Sequence, residues 1–385
     1  MASRSHASSA NISKIFSTNI SESSLYSKEL VIILSIYEII IIIFCLIGYA
    51  LIVFAMIFNS KLRSICNFFI LSMGLADGLI ATIIIPVSQG VMLQTLHYHS
   101  VGACEFVSNL NLITVIAVAL NLCACSIERF FVIAFPFRHQ EFLTRKRALS
   151  IIVGIWFYAL IVGLLPQFGW SVDKTLIIRG QCVRPLDKNY LIFNTVLHFC
   201  LPAVLMIITN GLVYRIASNQ AKRIYRIRAS ANQASSRYQS NKREQSSIEV
   251  FRINYRAAKR ISIIVGAYLV CWVPQMATLL LSIKIGFSSI PTFLFFITIP
   301  LQYTSSAVNP CIFCLLNKEI RKTLIRELKA RFPIWVPHSN EPPNASETAL
   351  REDSRGFSVS PRLFAAQVTI EHSESACSIY QQQNV

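Results

Sequence analysis

The chain has 385 residues, 54% of them hydrophobic and only 14% charged, with a mean hydropathy of +0.52. That is too apolar for an ordinary soluble protein and fits a chain that crosses a membrane several times. The formal charge of +17 does not make it a nucleic-acid binder. Its basic residues cluster in short segments between apolar runs, a topology pattern rather than a binding face.

Residues 1–29 are polar and rich in serine and asparagine, without the apolar stretch of a cleavable signal peptide. Asn11-Ile12-Ser13 and Asn19-Ile20-Ser21 are glycosylation acceptors if this end is extracytoplasmic. Apolar segments follow at 30–58, 66–88, 101–133, 149–168, 190–214, 258–283 and 290–315, each long enough to span a bilayer as helix. The third, from Cys104, carries no charge between Glu105 and Glu128, then closes on Glu128-Arg129-Phe130. A charged pair there is either snorkelling to the interface or functional. The seventh turns polar in its second half, at Ser305, Ser306 and Asn309, which predicts a face directed into a helix bundle.

Lys and Arg set the orientation. Lys61 and Arg63 follow segment one, Arg145, Lys146 and Arg147 precede segment four, and Lys222, Arg223, Arg226, Lys242, Arg243 and Arg256 lie between five and six. No Lys or Arg separates segments two and three. This bias places the N-terminus outside and the C-terminus in the cytoplasm, in a plasma-membrane protein. Cys104 and Cys182 are then the two cysteines on the outer face, where an oxidising medium permits a disulfide; the alternative is two free thiols. Cys45, Cys123, Cys125, Cys200, Cys271, Cys311 and Cys314 lie in apolar runs and read as small hydrophobes, without the histidine partners of a metal site. Residues 317–331 have Ile320, Leu324 and Ile325 among basic neighbours, which predicts an amphipathic helix on inner-leaflet lipids. The tail at 332–385 is expected to be disordered, with phosphorylatable serines such as Ser354 and Ser358.

Together these features resemble the rhodopsin-like (class A) G-protein-coupled receptors. The resemblance rests on the cysteine opening segment three, Glu128-Arg129-Phe130 closing it, Leu75-Ala76-Asp77, Trp156, Pro202, Cys271-Trp272-Val273-Pro274 and Asn309-Pro310-Cys311-Ile312-Phe313. It covers about residues 30–330 and implies an all-α membrane protein, a seven-helix bundle with a short surface helix. It implies a coupling switch at Glu128, Arg129, Phe130, Asn309, Pro310 and Phe313, released when segment six swings outward to admit a heterotrimeric G-protein. Pro274 and Pro310 should kink their helices. A receptor kinase and arrestin would engage the tail. Some positions depart from the family: Tyr49 replaces an asparagine, while Asn210 and Phe313 replace tyrosines. The resemblance also places a sodium ion at Asp77, with Ser306 and Asn309, although Val118 stands where a serine is usual. No other cofactor is expected.

Ligand-binding candidates are Glu38, Asn111, Asn194, Thr195, His198, Trp272, Gln275, Met276 and Tyr303. Asn111 replaces the aspartate with which amine-binding members pair an ammonium group, and family geometry would set Glu38 against Tyr303. Adenosine and melatonin receptors share fragments, Leu165-Pro166-Gln167-Phe168-Gly169-Trp170 with the former and His198 with the latter. The expected function is therefore a receptor for a small amine-like, indole-like or nucleoside-like molecule. The alternatives are a membrane transporter, which would want paired halves and midplane carboxylates, or a seven-span protein that does not couple. No nucleophile–base set or phosphate loop points to an enzyme.

Overall fold

The computed structural model describes residues 28–93, 95–135, 143–172, 174–178, 181–233, 242–286 and 289–331. The sequons at Asn11 and Asn19 and the tail from 332 lie outside them. Helix α1 is Lys28–Phe58, and α2 comprises Ile65–Leu79 and Ile85–Met92 joined by a π turn at Ile80–Ile84. Helix α3 is Val101–Ala134 and α4 is Arg145–Leu164. A hairpin of β1 (Leu176–Ile178) and β2 (Gln181–Val183) precedes α5, which comprises Lys188–Thr195 and Leu201–Gln233 around a π turn at Val196–Cys200. Then come α6 (Lys242–Ile285), α7 (Thr292–Leu316) and α8 (Lys318–Arg331).

Isoleucine-rich runs such as α1 become helices because lipid offers the backbone no hydrogen-bond partner. Four starts are fixed by side-chain caps among the described residues: Ser100 Oγ accepts from Ala103 N at 3.2 Å, Thr144 Oγ1 from Arg147 N at 3.4 Å, Asp187 Oδ1 from Asn189 N at 2.7 Å and Asn317 Oδ1 from Glu319 N at 3.2 Å. Each π turn ends just ahead of a proline, Pro86 or Pro202. A proline ring crowds the carbonyl one turn back and offers it no N–H, so the preceding turn widens. Helices α5 and α6 run well past 214 and begin well before 258, because the flanking Arg, Lys, Ala and Gln favour helix and no Gly or Pro interrupts them. Hydropathy alone sees only the apolar parts.

Among the described residues six helices are long and apolar enough to cross a membrane, and α7 is set apart by its inward polar side chains. Helix α3 touches α2, α4, α5 and α6, while α7 packs on α1 and α6. Ile33, Ile36, Ile40, Ile43 and Ile47 of α1 are exposed, as lipid-facing residues should be, whereas Ile41, Cys45 and Ile52 are buried. Close approach is built in at Gly48, where a Cβ would stand 2.7 Å from Pro310 Cβ on α7.

Cys182, opposite Ile177 in the hairpin, is bonded to Cys104 at the start of α3. We predict that Cys104→Ser and Cys182→Ser each cut surface expression several-fold and that the double variant is no worse, since one loop tie is lost in all three. Flow cytometry on an epitope-tagged chain tests this, and additive losses would exclude a shared bridge. A second pair, Cys66 of α2 and Cys125 of α3, is also disulfide-bonded, which corrects the reading of Cys125 as a lone small hydrophobe. Helix packing brings together positions 59 residues apart, and no local pattern announces it.

Candidate functional site

At mid-bundle, Asp77 of α2 is fully buried and takes three side-chain donors. Tyr49 Oη donates to Oδ2 at 2.6 Å, Ser306 Oγ to Oδ1 at 2.7 Å and Asn309 Nδ2 to Oδ2 at 3.4 Å. The phenol reaches the carboxylate across the face of Gly74, whose hypothetical Cβ would lie 2.4 Å from the Tyr49 ring. So α1, α2 and α7 meet on one carboxylate. Nearby, Asn121 Oδ1 and Asn309 Oδ1 are buried with no hydrogen-bond partner among the described residues.

Toward one end of α3, Arg129 Nε lies 3.1 Å from Glu128 Oε2, with side chains 12% and 4% exposed. From α6, Arg129 meets the like charge of Arg260. Phe130 packs with Ile133, Val213 and Ala258, where α3, α5 and α6 converge. Ser262 of α6 donates to Asn210 Oδ1 of α5 at 2.7 Å. Pro310 sits against Gly48, and Phe313 is buried.

At the Cys104 end, the predicted polar residues divide into bound and unbound groups. His198 uses both ring nitrogens, one with Tyr158 Oη of α4 at 2.9 Å and one with Asn194 Oδ1 at 3.0 Å. It is a rivet between α4 and α5. Thr298 donates to Gln275 Oε1 at 2.5 Å, and Trp272 Nε1 donates to Ser305 at 3.0 Å while its ring stacks 5.0 Å from Tyr268. Met276 packs half-buried against the core. By contrast, Asn111 Oδ1 and the buried Thr195 Oγ1 have no partner among the described residues. Glu38 is 3% exposed and accepts from Gln89 of α2, not from Tyr303 as the resemblance suggested. The glutamine amide reaches it first from the neighbouring helix, and Ser35 donates in turn to Gln89 Oε1 at 2.8 Å. Tyr303 is nonetheless within electrostatic reach of Glu38 and of Tyr98.

Above α3, Arg184 donates to Asn109 Oδ1, and its Nε is buried without a partner among the described residues. Burial holds this guanidinium below its ordinary pKa, against the opposing charge of Glu105. Neither Arg184 nor Gln89 carries a motif, so sequence reasoning passed over both. Arg184 stands two residues after Cys182, and that spacing was the available clue.

A family model described as "7 transmembrane receptor (rhodopsin family)" matches residues 48–313. The chain belongs to this receptor family. Similar proteins include octopamine receptor beta-1R of Drosophila melanogaster, 25% identical over 76% of this chain and 61% of the relative. The 5-hydroxytryptamine receptor 4 of Homo sapiens is 26% identical over 79% of this chain and 81% of its own length. The D(1) dopamine receptor of Carassius auratus is 26% identical over 72% and 82% respectively. This receptor thus spans less than two thirds of the first of these and about four fifths of the others.

A resident sodium ion fits the donor set of this receptor poorly. The Asp77 carboxylate already accepts from Tyr49, Ser306 and Asn309 Nδ2, and Val118 adds no oxygen, although Asn309 Oδ1 is without a partner among the described residues. An ion on Oδ2 would have to displace the Tyr49 hydroxyl.

Proposed function

We propose that this receptor sits in the plasma membrane with its N-terminus outside and binds a small extracellular amine between the Cys104 ends of its helices. It then activates a heterotrimeric G-protein when α6 moves away from α3. The observation that supports this best is the Arg129 end of the bundle. A cation whose ion pair among the described residues is with its own-helix neighbour Glu128, beside the like charge of Arg260 on α6, can serve as a two-state element. The relatives named for octopamine, 5-hydroxytryptamine and dopamine support an amine. Trp272, hydrogen-bonded to α7 and placed just before Pro274, would convert ligand volume into movement of α6. The polar groups left unbonded, Asn111 and Thr195, are free to meet the rest of the ligand. The tail would bind a receptor kinase and arrestin, and α8 would lie on inner-leaflet lipid.

G-protein dissociation reporters in cells, challenged with amines, indoleamines, nucleosides and small lipids, test this. An amine response absent from an Arg129→Ala control is expected. Uptake of the amine without G-protein dissociation would favour a transporter.

A further inference from the structure

We propose that the ammonium group of the ligand is held by Glu38, on the α1–α2–α7 side of the bundle, rather than at α3. The inference rests on the amine-receptor reading above and assigns the ligand's charge to one residue. On the α3 side, position 111 is a neutral asparagine, and the charge overhead is the cation Arg184, bonded to Asn109 two residues before it. An ammonium there would meet the repulsion of Arg184, and the acid on that side, Glu105, already accepts from Thr175 and Gln167 and faces the Arg184 charge. Across the bundle, Glu38 is 3% exposed in a membrane-spanning helix, where an acid is costly unless it has a partner. The hydrogen bond it accepts among the described residues comes from the neutral amide of Gln89. A carboxylate has about four lone-pair sites, so one amide leaves most of its acceptor capacity unused. The amide is itself steered, because its Oε1 accepts from Ser35. Tyr303 lies within electrostatic reach of Glu38, and an aromatic ring near a carboxylate is a fitting environment for an ammonium ion.

The competing explanation is a clamp, with Glu38 and Gln89 merely joining α1 to α2. Glu38→Gln separates the two, since a glutamine keeps the size and still accepts from Gln89 but loses the charge. Octopamine, 5-hydroxytryptamine and dopamine, each beside a neutral analogue with hydroxyl in place of the amine, serve as probes at matched surface density. The expected result is a loss of amine potency of about 100-fold or more in Glu38→Gln, as when one member of a buried charge pair is removed. Glu38→Asp should stay within about tenfold, the neutral analogues should not change, and Gln89→Leu should keep most of the amine potency. Superposed amine curves for Glu38→Gln and the unchanged chain would overturn the assignment, as would equal losses in Glu38→Gln and Gln89→Leu; both leave the receptor reading standing. If no amine acts while Arg129-dependent basal signalling persists, the amine reading and the ammonium assignment fall together and the coupling reading stands. If no Arg129-dependent signal exists, the receptor reading falls with it.

Discussion

Replacing Arg129 by alanine is expected to abolish G-protein activation while surface expression stays close to that of the unchanged chain. The guanidinium is 12% exposed and paired 3.1 Å away with Glu128 of the same helix, so among the described residues its loss removes an ion pair within α3 rather than one between helices. What it removes is the cation available to a partner protein at this end of the bundle. A desolvated cation at such an interface is worth about 2–5 kcal/mol, enough to cut activation by a factor of about 30 to several thousand. Retained signalling in Arg129→Ala, measured by a dissociation reporter at matched surface density, would remove Arg129 from the switch. The same geometry gives a companion expectation of opposite character. Arg260 of α6 meets Arg129 with like charge, so these two side chains form no ion pair between α3 and α6. Arg260→Glu supplies one. Ligand-free signalling should fall, and agonist potency should drop by about tenfold, the equivalent of about 1.4 kcal/mol. Unchanged basal activity would mean that the two side chains do not report on α6 position.

What could be read in the chain beforehand follows from the range of the signal. Bilayer-length apolar runs and short basic loops are local, and they located all seven helices within a few residues at the membrane-crossing parts. Local signals fail where a helix leaves lipid. The extensions of α5 and α6 are polar and were invisible to hydropathy, and the two π turns were hidden in continuous apolar sequence. Contacts between helices are less legible still. Asp77, Ser306 and Asn309 were grouped by resemblance, but Tyr49 was noted only as a departure, and nothing local says that its hydroxyl would reach Asp77 past Gly74. Gln89 escaped notice because one polar residue near the end of an apolar run looks like any loop-proximal residue. Glu38 was expected to face Tyr303, which does lie within electrostatic reach of it, but the hydrogen bond it accepts comes from an amide of α2. The Cys66–Cys125 pair rests on the facing of α2 and α3, which periodicity describes only loosely.

The Tyr49–Gly74 contact carries the second large expectation. Gly74→Ala should be among the most destabilising small substitutions in the membrane core, because its new Cβ would lie 2.4 Å from two ring carbons of Tyr49 in a fully packed interior. Overpacking of this kind costs about 1–3 kcal/mol, and here the displaced ring also carries a hydroxyl bonded at 2.6 Å to Asp77. Stranding a buried carboxylate adds about 1.5–3 kcal/mol. The melting temperature of the detergent-solubilised receptor should therefore drop by roughly ten degrees. If the ring is the cause, Tyr49→Ala removes it, and Gly74→Ala in that background should cost far less than alone. Equal costs in both backgrounds would place the strain elsewhere. Tyr49→Phe isolates the hydroxyl: it keeps the ring, frees one acceptor position on Asp77, and leaves Asn309 Nδ2 as the remaining donor to Oδ2. The unchanged receptor should melt at the same temperature in sodium chloride and in choline chloride, since Tyr49 fills the position a cation would need. Tyr49→Phe should be less stable in choline and regain stability in sodium. Sodium dependence in the unchanged receptor would show that the phenol yields to the ion, and the polar core would then work with Tyr49 as a displaceable lid rather than a permanent ligand of Asp77.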